Sequence, residues 1–550
     1  MKIKSFFLFC LLASSTMVMA QEAPENWFNL DQGTDKVAGV STEKTYEQLL
    51  KGRSSETVVV AVIDSGVDYM HEDLKDIMWV NAGEIAGNGI DDDKNGYVDD
   101  IHGWNFIGGK DGKNIAEDAL EITRLYAFYS KKFEGANPDK LKKKEKKQYA
   151  EYMDIKKALD KKRGELEEQS KTWFDLADAI ELIGGKMGKK DFTAEDLAAY
   201  ETSSELEKEG KDLLTKILER NPNMAEIMEQ VEGASGYFDT QLNKWYNPDF
   251  DPRASIVGDN YADSNDRNYG NSDVKGPDAG HGTHVAGIIA AVRDNDLGMK
   301  GVANNVRIMS IRAVPDGDER DKDVANAIFY AVDNGASVIN MSFGKSYSYD
   351  KAIVDKAVKY AEKHDVILIH AAGNDAKNTD IGKNFPTDKY EKSGLFKPKQ
   401  AKSWMEIGAL AYMPGEDAVA TFSNYGKDKV DVFAPGYQIY STIPEQGYAK
   451  FSGTSMAAPV TAGVAAVLRS YFPKLSAKQI KNIIMDSAMP QTQKVKQPGT
   501  KELVSFSELC QSGGVVNAFN AVKKADKTKG KRKMRRVIKP KLTVKDVVRP

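Results

Sequence analysis

The sequence predicts a doubly wound α/β fold with a mostly parallel sheet, carrying an inserted α-helical subdomain. Three observations lead there. Residues 58–63, Val-Val-Val-Ala-Val-Ile, are apolar on both faces, as a strand in the middle of a parallel sheet must be. From Val306 onward, strand-like and helix-like stretches alternate, which implies βαβ units. Between residues 114 and 248 that alternation stops and charged, amphipathic runs replace it.

In chain order, Lys2 and Lys4 precede an apolar run at 6–12, and small residues stand before Gln21. Residues 1–20 therefore read as a secretory signal peptide, which predicts export to the periplasm or medium. No later stretch approaches 18 consecutive apolar residues, so no transmembrane segment is expected after its removal. Cys10 leaves with the signal, which leaves Cys510 as a packed small hydrophobe without a disulfide partner. Residues 21–50 form an N-terminal segment, and 51–113 the first part of the α/β domain. Its central strand ends at Asp64-Ser65-Gly66.

The insert spans 114–248. Tyr152, Ile155 and Leu159 recur at helical spacing, as do Trp173, Leu176, Ile180 and Ile183. Leu206, Leu213, Leu214, Ile217 and Leu218 form a third stripe. The second part of the α/β domain, 249–522, should hold strands at 306–312, 336–341 and 366–371, with helices at 323–334 and 351–364. The tail, 523–550, has 13 basic against 2 acidic residues and leaves an acidic body behind it. With 41% hydrophobic and 29% charged residues, the chain is neither disordered nor a nucleic-acid binder in its main body.

Three glycine-rich segments carry chemistry: Asp64-Ser-Gly66 at a strand end, His281-Gly-Thr-His284 opening a helix, and Ser452-Gly-Thr-Ser455. A serine hydroxyl becomes a nucleophile when an imidazole takes its proton, and a carboxylate must orient that imidazole. Glycine lets backbone approach a substrate closely, and strand ends of open α/β sheets are where ligands bind.

On these segments, in this order, the chain resembles the subtilisin-like serine peptidases over roughly 50–112 and 255–522. The resemblance implies a subtilisin-like fold, peptide or protein substrates, and an acyl-enzyme. Asp64 would orient, His281 would serve as general base and acid, and Ser455 would attack. In His370-Ala371-Ala372-Gly373-Asn374, Asn374 would stabilise the oxyanion. Ser342, Phe343 and Gly344, with Ala371, Ala372 and Gly373, would bind substrate. The gap of 217 residues between Asp64 and His281 exceeds the family's usual spacing, and the helical insert accounts for most of it. A catalytically silent binding or scaffold protein is the alternative.

Calcium (Ca2+) is expected at two places as a structural ion. Asp91, Asp93, Asn95, Tyr97 (by its carbonyl) and Asp99 follow the oxygen spacing of an EF-hand-like loop, with Gly96 at the bend. His102 stands where that motif has its bidentate glutamate. The second place rests on the resemblance: Asp73 and Asn295, with the carbonyls of Leu297 and Met299, match the family's tight site.

Overall fold

The computed structural model describes residues 23–391 and 399–532. The signal-peptide segment and residues 533–550 of the basic tail lie outside the described residues. Seven strands build the centre of one sheet: β1 (Val58–Asp64), β2 (Gly103–Asn105), β3 (Val306–Arg312), β4 (Val338–Met341), β5 (Ile367–Ala371), β6 (Trp404–Leu410) and β7 (Val432–Pro435). They lie in the order β7-β6-β5-β4-β1-β3-β2, all parallel. Two short strands extend the sheet beyond β7: Gly514–Val515 runs parallel to it, and Met489–Pro490 runs antiparallel to Gly514–Val515. The doubly wound, mostly parallel sheet expected from the sequence is the fold observed.

The side-chain period of β1 shows why its run is apolar throughout. Val58, Val60 and Val62 enter one core cluster with the helices Gly280–Ala290 and Thr454–Tyr471. Ala61 and Ile63 enter another with the helices Asp321–Asp333 and Lys351–Lys363. The chain passes from β1 to β3 on one side, then returns to β4 on the other. That reversal opens a crevice at the carboxyl end of β1, and Asp64 is the last residue of that strand.

Element limits differ slightly from the sequence expectation. The helix expected at 323–334 starts at Asp321, and the strand expected at 336–341 starts at Val338. Trp27, Phe28 and Val40 of the N-terminal segment are fully buried in the same cluster as the Thr454 helix. Cys510 is buried too, and burial pushes its thiol up to about 11, so it is chemically quiet.

The insert holds the helices Glu121–Phe133, Lys143–Met187, Ala194–Ala199, Glu205–Leu218 and Met224–Thr240. Two of the predicted stripes belong to one helix, the 45-residue Lys143–Met187, which has no internal proline and ends at Gly188 in left-handed conformation (φ 67°). Its first half packs on Leu125, Tyr129 and Phe133. Its second half encloses a separate cluster with Leu214, Leu218, Ile227 and Val231. Of the third stripe, Leu213, Leu214, Ile217 and Leu218 pack in that cluster, and Leu206 alone departs, being 68% exposed. At the helix's start the packed face passes instead through buried Glu207 and then Gly210, which lies against Ala179. The two ends of the insert meet where the Leu120 amide donates to the Trp245 carbonyl (3.0 Å). Among the described residues no helix is long and apolar enough to cross a membrane.

Candidate active site

Asp64 is buried at the end of β1. Its Oδ1 accepts from the Ser65 amide (2.8 Å) and lies 2.7 Å from His281 Nδ1. The His281 helix approaches so closely that a methyl group at Gly282 would stand 2.1 Å from the Gly66 carbonyl oxygen. Only glycine allows that approach. Burial disfavours the His281 imidazolium, but the Asp64 carboxylate more than offsets it, and Asp278 adds to the effect. The net result is a pKa above the ordinary 6.5. His284, one turn on, is buried, stacks on Phe451 (4.3 Å between centroids) and pairs with the Ala449 carbonyl (3.1 Å). Burial drives its pKa down to about 3, so it stays neutral and holds the helix against its neighbouring hairpin.

Ser455 occupies the first turn of the helix Thr454–Tyr471. Its hydroxyl donates to the Ser342 carbonyl (3.0 Å), and the Ser342 hydroxyl donates back to the Ser455 carbonyl (2.8 Å). The Ser455 hydroxyl is thus turned to Ser342 rather than hydrogen-bonded to His281. Catalytic hydrogen bonds of this kind commonly form only once substrate is present.

Asn374 follows β5 on a loop that turns at Gly373 (φ 99°). Its Oδ1 accepts from the Thr454 amide (2.8 Å) and hydroxyl (3.0 Å), which fixes the amide orientation and leaves Nδ2 as the free donor. A methyl built on Gly453 would lie 3.4 Å from that Nδ2 and 3.5 Å from the Ser455 amide nitrogen. Both donors therefore border one small space beside the serine. Asn424, which sequence reasoning missed, anchors this loop. Its Nδ2 donates to the Ala372 carbonyl (2.8 Å), and its Oδ1 accepts from the amides of Asp375 and Lys377.

A cavity of about 270 Å³ adjoins Ser455. Of the six residues expected to bind substrate, Ser342, Phe343, Gly344, Ala371 and Gly373 line it. Ala372 is buried behind the wall, where its carbonyl accepts from Asn384 (3.0 Å) and Asn424. Asn384, Glu319 and Lys345 complete the far wall, which no local pattern in the sequence marked.

In the acidic loop the side-chain oxygens fold back on the loop's own backbone. Asp91 accepts from the amides of Asn95 and Gly96, Asn95 accepts from the Tyr97 amide, and Asp99 accepts from the amides of Gly87 and Gly89. Asp93 instead meets Glu84 and Asp100, with one ligand atom of each within 4.8 Å of the others. Burial raises Asp100 to about 6. At the second place, Asp73 is buried, and it accepts from Asn295 Nδ2 (2.7 Å) and the Met299 amide (3.3 Å). The Leu297 amide donates to Asn295 Oδ1. Burial raises Asp73 above the usual carboxylate range.

Residues 55–507 match the model of a family described as the subtilase family. A thermophilic serine proteinase of Bacillus sp. (strain AK1) is 38% identical over 243 residues, 44% of this chain and 52% of that protein. Thermitase of Thermoactinomyces vulgaris is 38% identical over 244 residues, 44% of this chain and 75% of that one. Subtilisin DY of Bacillus licheniformis is 36% identical over 212 residues, 38% of this chain and 70% of that one. The chain thus spans about half the length of the first of these relatives.

Proposed function

The chain belongs to the subtilase family, and from that premise we propose that it is an exported serine endopeptidase that cleaves peptide bonds through an acyl-enzyme on Ser455. The supporting observation is the convergence of Asn374 Nδ2 and the Ser455 amide on one space beside a serine, with an Asp64–His281 pair at 2.7 Å. In this mechanism the Ser455 hydroxyl leaves the Ser342 carbonyl, gives its proton to His281 Nε2 and attacks the scissile carbonyl carbon. The oxyanion then takes hydrogen bonds from Asn374 and the Ser455 N–H. His281 returns the proton to the departing amine, activates the water that frees the acyl group, and is held in orientation throughout by Asp64. Wild-type protein should cleave an unstructured polypeptide such as casein, and Ser455→Ala should not. Undiminished cleavage by Ser455→Ala refutes the assignment.

A structural calcium ion belongs to the same proposal. Glu84, Asp93 and Asp100 offer hard oxygen donors, and Asp100 is held above its ordinary pKa by burial, a cost that a cation would offset. At Asp73 the buried carboxylate lies beside Asn295 and the Met299 backbone, so the second expected site keeps its oxygen donors together. The root of the helical insert borders the substrate cavity, since its Glu121 pairs with Lys345 of the wall (2.9 Å). That placement supports a lid. Deleting 121–245 should raise cleavage of folded proteins relative to a tetrapeptide, and an unchanged ratio rejects the idea.

A further inference from the structure

The cavity beside Ser455 has a wall whose charges do not balance. Three buried cations belong to it: Lys345 lines the cavity, and Arg320 and the insert's Arg124 lie behind the lining. Each is already engaged. Lys345 Nζ pairs with Glu121 (2.9 Å) and Asp321 (2.9 Å) and donates to the Glu319 carbonyl (2.6 Å). Arg320 pairs with Asp118 (2.7 Å) and Asp251 (2.9 Å), and Arg124 with Glu121 (2.6 Å) and the Asp318 carbonyl (2.9 Å). Tyr261 lies against Arg320. Asp318 accepts from the Glu121 amide (2.8 Å).

Glu319 is the exception. It lines the cavity and is only 2% exposed, yet its Oε1 has no hydrogen-bond partner. Asp118, Glu121, Asp321 and the more exposed Asp251 pair with the three cations, and Asp318 takes an amide N–H, so Glu319 is the carboxyl whose Oε1 no donor meets. At the cavity mouth Lys383 and Asp375 are exposed and opposite in sign, so solvent screens both.

We propose that Glu319 selects the substrate, and that the cavity takes a lysine or arginine side chain on the acyl side of the scissile bond, its cationic end against the Glu319 carboxylate. The proposal rests on the peptidase reading. An apolar side chain in the same place would leave the carboxyl without a partner, and an acidic one would meet the surplus of negative charge. Burial, opposed by Lys345 and helped by Asp318 and Asp321, raises the Glu319 carboxyl to about 8. In the free enzyme at neutral pH the group therefore carries a proton, which a cationic side chain must displace. Preference for a basic residue should strengthen as pH rises through about 8.

The experiment uses two series of acetyl-tetrapeptide coumarin amides that place lysine or norleucine at each of the four positions in turn. Norleucine keeps the length and lacks the charge. At one position the lysine-to-norleucine ratio of kcat/KM should reach about tenfold at pH 9 and shrink towards pH 6.5. His281 titration affects both members of a pair and cancels in the ratio. Glu319→Gln should bring the ratio to about one and remove its pH dependence, and the wild-type pH profile carries the test should that variant fold poorly. Equal rates at all four positions, or a preference that survives in folded Glu319→Gln, overturn the proposal alone. Cleavage of neither series overturns the peptidase reading and the proposal with it.

Discussion

Replacing Glu121 by glutamine should uncouple the insert from the cleft wall at a measurable cost in stability. Glu121 and Lys345 each have side chains about 1% exposed, so the pair has almost no water to fall back on. Burial alone would raise the Glu121 carboxyl, but Arg124 and Lys345 outweigh it and bring it from the ordinary 4.5 down to about 2. At neutral pH that difference corresponds to about 3 kcal/mol. Stripping one partner from a buried ion pair costs ~3–5 kcal/mol, in agreement. For a cooperative unit of about 400 residues the loss lowers Tm by roughly 3–4 °C.

The assay is differential scanning calorimetry at pH 7 in a Ser455→Ala background, which prevents self-digestion. The exposed pair Lys156–Asp160 is the control, with side chains 38% and 56% exposed. Asp160→Asn should cost under about 0.5 kcal/mol. Because the folded-state pKa of Glu121 is depressed, its contribution is complete above about pH 4.5 and disappears as pH falls through about 2. The gap between the two proteins should narrow to about half by pH 3. A Glu121→Gln protein that melts within 1 °C of its parent (about 1 kcal/mol or less) would refute the reasoning.

Asn374→Ala should cut kcat by about 10²–10³ with little change in KM, since in the proposed mechanism its amide bonds to the oxyanion rather than to the ground-state substrate; a variant that loses only KM contradicts that role. Activity should fall on the acid side with a midpoint above 6.5, because Asp64 raises the His281 pKa and the protonated ring cannot accept the serine proton. Asp64→Asn should move that midpoint down and slow kcat by about 10⁴, as a pH–rate profile will show. Chelation by EDTA should lower Tm, since an ion at a hundredfold excess over Kd stabilises by about 2.7 kcal/mol. Asp93→Asn should remove much of that response, and identical melting with and without calcium rejects the site.

What was legible in the sequence follows from physical range. Asp64 ends a strand, His281 and Ser455 stand in the first turn of a helix and Asn374 in the loop after a strand, each within two residues of a glycine, so a short window marks them as candidates. β1 was equally plain, because its residues 58–63 pack on both faces of the sheet and are all apolar. The far wall of the cavity was hidden. Lys345 meets Glu121 across 224 positions, and Arg320 meets Asp118 across 202, so no local periodicity signals either pair. The stripe through Leu206 misled because the true face passes through a buried glutamate, Glu207, held by Lys186, Tyr200 and Ser203. In the acidic loop the spacing of oxygens was visible, but the approach of Glu84 and Asp100 to Asp93 depends on how the loop folds back and no spacing shows it.

The central claim is that Ser455 is a nucleophile activated by His281, although its hydroxyl rests on the Ser342 carbonyl before substrate arrives. The most direct measurement is reaction with a fluorophosphonate at neutral pH, followed by mass spectrometry of the digested chain. One adduct per molecule should appear on the peptide bearing Ser455, slowed by orders of magnitude in His281→Ala and absent in Ser455→Ala. A wild-type protein that stays unmodified, or one modified at another serine, would contradict the account and mark the fold as a catalytically silent scaffold.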